Sequence, residues 1–407
     1  MTFRRLWLPS TLTILFAAQG LLAQAPASIP FRLAETAGIR RNTFPVNTRV
    51  PFARGVLKDS ANLRLMLAER EIAAQLAAET RWPDQSIQWL SVDFNATIAP
   101  LESQTYRVEY GPEVKASTTA RGLMVTETAD AIQAGNVRFA KTGSPLVTSV
   151  KYRQEDIATG PNGFSLTDVA GVAHDLSTAT DVKAEVVKPG PLYVVVRYTG
   201  RIVIDSSYSV PFVITAEMPN SKTWVKYSAA VEDSAKRVRD LVFSSPLALT
   251  VAPLTWDFGT GSWTYGSFRN PTDSVVLTQT VKANANDWQV KSGAKGQEQM
   301  YEAAAGSRPK IAEGWGHFQD AREVIAFGFD KFGQFPGTYT VAFDATGQSS
   351  YRFAPLQPGQ RIELAIFQHY VASPTPIGAV TSPVSMLNSL GVVIEKDVYT
   401  KAGVSIP

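Results

Sequence analysis

The segment 256–268, WDFGTGSWTYGSF, combines aromatic residues with glycines in a way that favours ligand binding. Glycine lets the backbone approach a ligand, and exposed aromatic rings can stack on the C–H faces of sugars at a small entropic cost. The alternative is a loop whose aromatic side chains only cover the end of a β-sandwich. The predicted substrate-binding residues, including those from flanking segments, are Trp256, Trp263, Tyr265, Arg269 and Trp315.

Metal and nucleophile chemistry find little support in the residue types. The chain has no cysteine, and its three histidines, His174, His317 and His369, are far apart with no HExxH pattern. Asp257 and Asp233 lie near glycine or turn residues, but no EF-hand loop pattern surrounds them. No G-x-S-x-G or Walker A motif is present. No metal site and no cofactor are predicted, and calcium is the one ion that the sequence leaves open.

The first 25 residues predict a signal peptide. Arg4 and Arg5 precede a largely apolar run, and Ala23-Gln24-Ala25 fits a signal-peptidase site. Both charges of this leader are positive, so its cleavage lowers the formal net charge of +3 by 2, to +1. A nearly neutral chain does not favour nucleic acid as a partner. We expect a secreted or periplasmic protein with no membrane span after cleavage and an undetermined oligomeric state.

The remaining chain predicts β-structure nearly throughout. Residues 104–110 alternate with a period of two, and residues 211–217 and 223–229 flank a Pro-Asn-Ser turn, which predicts a hairpin. Residues 192–198, 324–329 and 361–370 predict further strands. The segment 68–79 is rich in helix formers but also alternates, and we predict a strand because the surroundings are β.

Two polar stretches suggest how the chain is divided. Residues 112–121 lack a pattern and predict a boundary, so the expected domains are 26–115 and 116–407. The second stretch, 282–308, predicts a loop insertion in the second domain.

The segment 81–90, RWPDQSIQWL, predicts a strand–turn–strand unit. Asp84 can accept backbone N–H groups in an Asx turn, and alternation from Ile87 predicts that Trp89 lies in the core. Gln85 occupies the turn position that favours a left-handed residue, so we expect either strain there or a different turn.

Several of these stretches resemble one family. Residues 47–55 (NTRVPFARG), 81–90 and 104–111 resemble, in order, three N-terminal motifs of exo-rhamnogalacturonan lyase-like proteins (polysaccharide lyase family 26 type). Gly314-Trp-Gly-His, the strand 324–329 and Phe335-Pro336 are similar to the middle domain of that family. Gln85 stands where the family has glycine.

This resemblance implies an all-β fold with a small N-terminal RIFT-like β-barrel followed by a large antiparallel β-sandwich. It also implies an exported protein that binds or helps degrade uronate-containing polysaccharide, with polysaccharide or oligosaccharide as partner. No series of long amphipathic helices follows residue 120, so we predict that the family's catalytic α/α toroid is absent. The alternatives are a non-catalytic module working with a separate catalytic chain and a cell-envelope protein without a glycan role.

If the chain is a lyase, β-elimination requires a base for the C5 proton of the uronate and a cation that neutralises its carboxylate. Candidate bases are His317, His369 and Tyr265, and candidate cations are Arg322, Arg361 and Arg269. The predicted catalytic residues are His317, Arg322 and Tyr265. The alternative is that both histidines lie hydrogen-bonded on strand faces and take no part in catalysis.

Overall fold

Antiparallel β-strands form most of the regular structure of the described residues, which confirms the predicted all-β class. The strands form five sheets, and in the two largest sheets buried residues alternate with less buried ones along the strands. The computed structural model describes residues 26–118, 120–142, 146–152, 155–158, 162–261, 263–283, 286–302, 310–371 and 383–406. The predicted signal peptide, 1–25, lies outside these residues.

Two N-terminal sheets share one core. The first has the spatial order β30 (Gly391–Val393), β1 (Ala27–Ala34), β7 (Ser103–Tyr110), β3 (Leu63–Leu67) and β4 (Arg70–Ile72). The second has the order β2 (Arg41–Pro51), β6 (Ile87–Ile98) and β5 (Ala74–Arg81). Phe31, Leu90, Phe94 and Tyr106 are buried in this core. Because the strands fall into two separate sheets, the predicted RIFT-like barrel is not confirmed.

A small sheet follows the N-terminal sheets along the chain. Its five strands, in spatial order, are β12 (Glu155–Ala158), β11 (Val147–Tyr152), β10 (Val137–Ala140), β9 (Ala131–Ala134) and β8 (Val125–Glu127). Phe139 and Ile132 from this sheet belong to the same buried cluster as the sandwich core, so the small sheet closes one part of that core.

Two large sheets form the predicted antiparallel β-sandwich. The eight-stranded sheet has the order β14 (Ala173–Asp175), β13 (Gly163–Asp168), β19 (Val238–Pro246), β28 (Gln348–Pro355), β27 (Gly337–Asp344), β22 (Asp273–Val281), β23 (Asp287–Ala294) and β24 (Gln299–Glu302). The nine-stranded sheet has the order β15 (Ala179–Pro189), β16 (Tyr193–Asp205), β17 (Tyr208–Pro219), β18 (Trp224–Glu232), β29 (Arg361–Val371), β26 (Val324–Phe329), β25 (Trp315–Gln319), β20 (Thr255–Gly259) and β21 (Trp263–Ser267).

Aromatic rings from both large sheets meet in the sandwich core. Phe318 of β25 stacks on Phe343 of β27 with ring centroids 4.2 Å apart, and Tyr227 of β18 stacks on Phe243 of β19 at 4.8 Å. Buried aromatic pairs of this kind add to the hydrophobic stabilisation of the core. They confirm the sandwich predicted for this part of the chain.

The predicted strands at 104–110, 211–217, 223–229, 324–329 and 361–370 are all present. Strands β17 and β18 pair as the predicted hairpin. The segment 68–79 forms β4 and most of β5, and Ile72, Ala74, Leu76 and Ala78 pack against the N-terminal core. Packing therefore outweighs the helix propensity of this segment.

The turn in 81–90 agrees with the sequence in part. The Oδ1 atom of Asp84 accepts a hydrogen bond from the backbone N–H of Ser86 at 3.1 Å, as predicted, and Gln85 adopts a left-handed φ of 68°. The prediction that Trp89 lies in the core is wrong, because a register shift in the pairing of β5 with β6 turns Leu90 inward instead. Trp89 is half-buried, with the Arg49 guanidinium 4.8 Å from its ring centroid.

The C-terminal segment returns to the N-terminal sheets. Strand β30 pairs with β1, and Met386 and Leu390 lie in the N-terminal core. The short helix α1 (Lys396–Ala402) places Tyr399 next to Trp89. Two short 3-10 turns span Ser60–Asn62 and Leu176–Thr178. No helix of the described residues is long and apolar enough to cross a membrane.

Buried polar contacts join the N-terminal sheets to the nine-stranded sheet. Gln75 of β5 accepts the backbone N–H of Leu192 at 2.8 Å, and Lys188 of β15 forms a 2.9 Å ion pair with Asp93 of β6. Burial raises the pKa of Asp93, against the opposing effect of the Lys188 charge. These contacts fix the N-terminal sheets over one part of the nine-stranded sheet.

Candidate functional site

One row of side chains crosses six strands and reaches the edge of the nine-stranded sheet. Directly paired residues of antiparallel strands place their side chains on the same face. The row lies on the face that points away from the sandwich core, which we call the outer face. From edge to middle it consists of Tyr265, Asp257, His317, Ala326, His369 and Trp224.

Two exposed aromatic residues mark the open end of this row. Trp263 and Tyr265, which we call the aromatic edge, are 56% and 71% exposed and lie two residues apart on the edge strand β21. Thr264 between them points inward, and its hydroxyl lies 2.9 Å from that of Thr260. Two large rings held side by side in water form an apolar surface suited to a ligand.

Asp257 and His317 form a pair next to the aromatic edge. The Nδ1 atom of His317 lies 2.7 Å from Oδ1 of Asp257, and the imidazole is buried while the carboxylate is half-buried. The indole of Trp315 meets the imidazole edge-on, with ring centroids 5.9 Å apart. A carboxylate in this position fixes the orientation of the imidazole, as general acid–base catalysis requires.

Trp315 lies flat on the sheet beside the Asp257–His317 pair. A Cβ atom added to Gly259 would come within 2.3 Å of the indole, so only glycine fits beneath the ring. The Nε1 atom of Trp315 donates a 2.6 Å hydrogen bond to Glu313, whose backbone N–H is bonded to Gly259. These contacts hold the indole against β20.

A cavity of about 350 Å³ adjoins Trp315. Its volume is near the lower end of the roughly 300–1,000 Å³ typical of small-molecule sites. Its polar lining residues are Glu313, Asp330, Lys331, Gln334 and Asn388. The outer face thus carries the aromatic edge and the Asp257–His317 pair, with a cavity beside Trp315 within a few strands of them.

Burial changes the roles available to two predicted substrate-binding residues. Trp256 is only 3% exposed and lies in the sandwich core, because it faces the opposite side of β20 from Asp257. It therefore cannot present a ring face to a ligand, which corrects the prediction. Trp315 is 6% exposed, and it lines the adjoining cavity.

The structure separates the predicted arginines from the aromatic edge along the strands. Arg322 is exposed in the turn between β25 and β26, beyond the paired residues Gln319 and Val324, and Arg269 is exposed in the segment after β21. Arg322 follows the last residue of β25, a strand that begins with Trp315. Arg269 follows the last residue of β21, a strand that begins with Trp263. Tyr265 and His317 lie on either side of Asp257, which pairs with both across the sheet. The catalytic role predicted for Arg322 stays a prediction.

His369 and Arg361 are engaged elsewhere. His369 packs edge-on against Trp224 with ring centroids 5.7 Å apart, and its Nδ1 atom is buried without a hydrogen-bond partner among the described residues. Burial, together with the nearby Lys222 and His317, lowers the pKa of His369 to about 4. Arg361 begins β29 and forms ion pairs with Glu363 and Glu232.

The aspartates considered for calcium have other partners. Asp257 is paired with His317, and the carboxylate of Asp233 accepts hydrogen bonds from Tyr208 and from the backbone of Val238, both at 2.6 Å. Within the described part of the chain, no group of three or more histidine, aspartate or glutamate residues could hold a metal ion. Calcium binding was not predicted, and the prediction of no metal and no cofactor stays untested.

The sequence also contained a signal for Glu313 that our prediction missed. Glu313, Trp315 and His317 alternate with a period of two and therefore share one side of the chain. That spacing could have placed a carboxylate beside the predicted aromatic and histidine residues.

Comparisons with known proteins add information about the fold. No protein-family model matches the chain, and no curated protein matches it. The resemblance to exo-rhamnogalacturonan lyase-like proteins therefore gains no support from a family match.

Solved structures of glycoside hydrolases share the fold. The chain is similar to an α-mannosidase from Enterococcus faecalis V583, with a TM-score of 0.56 and 11% identity over 90% of this chain and 46% of that one. It is also similar to a glycosyl hydrolase family 38 protein from Enterococcus faecalis, with a TM-score of 0.53 and 10% identity over 90% and 47%. The chain thus spans about half the length of each.

Proposed function

We propose that this protein binds oligosaccharide on the outer face of its nine-stranded sheet, at the aromatic edge. The observation that carries this proposal is the exposure of Trp263 and Tyr265 side by side on one face of an edge strand. Flat, rigid rings of this kind stack on the apolar faces of pyranoses and lose little entropy on binding. The similarity in fold to a solved α-mannosidase supports a carbohydrate ligand without defining which one.

Polar groups beside the aromatic edge support a sugar over a purely apolar ligand. Asp257 and Glu313 can accept hydrogen bonds from hydroxyl groups, and five of the ten residues that line the cavity beside Trp315 have charged or amide side chains. A sugar chain stacked on Trp263 and Tyr265 would meet these groups as it continued over the sheet.

A uronate-containing polysaccharide of plant type is the ligand that we propose. The three ordered N-terminal motifs that resemble exo-rhamnogalacturonan lyase-like proteins support this narrower class, and the predicted signal peptide supports action in the periplasm or outside the cell. Mannosides are the comparison ligands, because the similar solved structure is an α-mannosidase.

Catalysis is the second candidate function, and the Asp257–His317 pair favours it. An imidazole oriented by a carboxylate can act as a general base, and Tyr265 occupies the next position in the same row. The alternative to catalysis by this chain is that the protein is a binding module and that a separate chain is catalytic.

Binding and turnover can be measured on the same purified full chain. We would titrate it with oligogalacturonates, rhamnogalacturonan fragments and mannan oligosaccharides, and follow the absorbance of unsaturated uronate products in the ultraviolet. Binding with product formation supports a lyase, and binding alone supports the module. Binding of mannan fragments only would overturn the uronate class, and binding of none of these ligands would overturn the proposal.

A further inference from the structure

A second cavity, of about 320 Å³, lies at the end of the sandwich; neither Trp263 nor Tyr265 lines it, and it shares Phe329, Asp330 and Lys331 with the cavity beside Trp315. Strand β26 ends at Phe329, while the neighbouring strand β29 continues back to Arg361, and this difference in length leaves a notch. The segment 330–336 and the ends of β27 and β28 enclose the notch. The cavity lies within the size range of small-molecule sites.

One wall of the cavity is an exposed aromatic ring on a fixed backbone. Phe335 is 50% exposed, which leaves one side of the ring open. The Tyr339 hydroxyl accepts a hydrogen bond from the backbone N–H of Phe335 at 3.0 Å and lies 3.2 Å from its carbonyl oxygen. Tyr339 and Phe353 continue the apolar surface inward. The site is therefore largely formed before any ligand arrives.

Lys331 brings a positive charge to this apolar wall. Its backbone has a φ of 55°, a left-handed conformation that residues other than glycine rarely adopt. Its Nζ atom lies 5.9 Å from the centroid of the Phe335 ring. Backbone strain of this kind persists where the surrounding structure enforces it and is concentrated at ligand sites.

The other charged groups of the cavity are already paired. Asp330 forms a 3.0 Å ion pair with Lys226, and Arg361 forms ion pairs with Glu363 and Glu232. Among the described residues, no carboxylate is paired with Lys331. Its ammonium group is thus the cation of this cavity that a ligand can neutralise, and the paired carboxylates can still accept hydrogen bonds from hydroxyl groups.

We infer that this cavity binds a single sugar residue bearing a carboxylate, with its apolar face on Phe335 and its carboxylate on Lys331. The identification as a sugar rests on the proposed function, whereas the carboxylate and the apolar face follow from Lys331 and Phe335. An aromatic carboxylate shares this chemistry, and the experiment must therefore distinguish the two.

The test measures binding of galacturonic acid, galactose and benzoate to the full chain by saturation-transfer NMR and titration. We expect galacturonic acid to bind more tightly than galactose, and Lys331→Met to weaken its binding about tenfold or more while leaving galactose unchanged. Lys331→Gly relieves the left-handed backbone and should give the same loss in a well-folded protein. Phe335→Ala should weaken both sugars. The matched control is Lys291→Met, at an exposed lysine of β23.

Two results would overturn this inference: equal binding of galacturonic acid to wild type and Lys331→Gly, or tighter binding of benzoate than of galacturonic acid. The double substitution Trp263→Ala/Tyr265→Ala separates the inference from the proposed function. It should reduce oligosaccharide binding and leave the binding of galacturonic acid unchanged, so that each site can fail without the other.

Discussion

The two ends of one cross-strand row have opposite environments. At the edge of the nine-stranded sheet, Trp263 and Tyr265 face open space. At the other end, Trp224 is buried in the N-terminal core, where it meets Phe44 edge-on with ring centroids 5.8 Å apart. Both ends belong to the same outer face and carry aromatic side chains.

The difference shows that coverage by the N-terminal sheets, and not residue type, decides whether an aromatic side chain on the outer face is buried or exposed. The N-terminal sheets cover the Trp224 end, where aromatic side chains stabilise the joint between the two parts of the chain. No described residues cover the Trp263 side chain to the same extent, and the exposed rings there form the surface that we propose for a ligand. The two histidines follow the same division, since His369 lies beneath the joint and His317 lies beside the aromatic edge.

The largest expected effect is a difference in the free energy of unfolding between variants at the two ends of the row. Trp224→Ala removes a buried ring from the joint and should lower the free energy of unfolding by about 3–5 kcal/mol. Trp263→Ala is the matched control and should change it by no more than about 0.5 kcal/mol. Urea unfolding followed by circular dichroism measures both. Equal losses for the two variants would break the comparison.

The second prediction concerns pH and the covered histidine. Because the pKa of His369 is lowered to about 4, the unfolded chain takes up a proton below its ordinary pKa of 6.5 while the folded chain does not. The stabilising contribution is therefore complete above the ordinary pKa and decreases as the pH falls towards 4, by about 3 kcal/mol. Urea unfolding over this range should show a smaller decrease for His369→Gln. An identical pH dependence in both proteins would contradict this account.

A third prediction concerns the middle of the outer face. Gly259→Ala places a methyl group 2.3 Å from the Trp315 ring and should cost about 1–3 kcal/mol in stability, with a loss of oligosaccharide binding. Gly391→Ala is the control, since its added methyl group would lie 3.7 Å from the nearest atom. Thermal unfolding and titration would measure both effects. Full stability in Gly259→Ala would show that Trp315 moves freely.

Sequence patterns predicted where strands form, but not how the strands pair and which of their faces is buried. Period-two alternation was enough to place β7, and the Pro-Asn-Ser turn between two strand-forming runs was enough to place the β17–β18 hairpin. Whether Trp256 or Asp257 faces the core depends on the packing of the two sheets, which alternation alone leaves undecided. A register shift likewise reversed the expected orientation of Trp89.

The candidate site depended even more on tertiary pairing. Asp257 and His317 are 60 positions apart, and only the pairing of β20 with β25 brings them together. The aromatic pair on β21 could be predicted from composition, because an isolated W-T-Y stretch beside glycines already indicates rings on one side of a strand. The burial of His369 depends on the N-terminal sheets, which no local pattern near residue 369 reveals.

The most direct test of the account is the affinity of the Trp263→Ala/Tyr265→Ala double variant for an oligosaccharide that the wild-type protein binds. Isothermal titration of both proteins, after equal melting temperatures have shown that the variant is folded, gives the comparison. We predict a loss of about tenfold or more, equivalent to about 1.4 kcal/mol, because stacking on both rings is removed. Unchanged affinity in the folded double variant would contradict the assignment of the aromatic edge as the ligand surface.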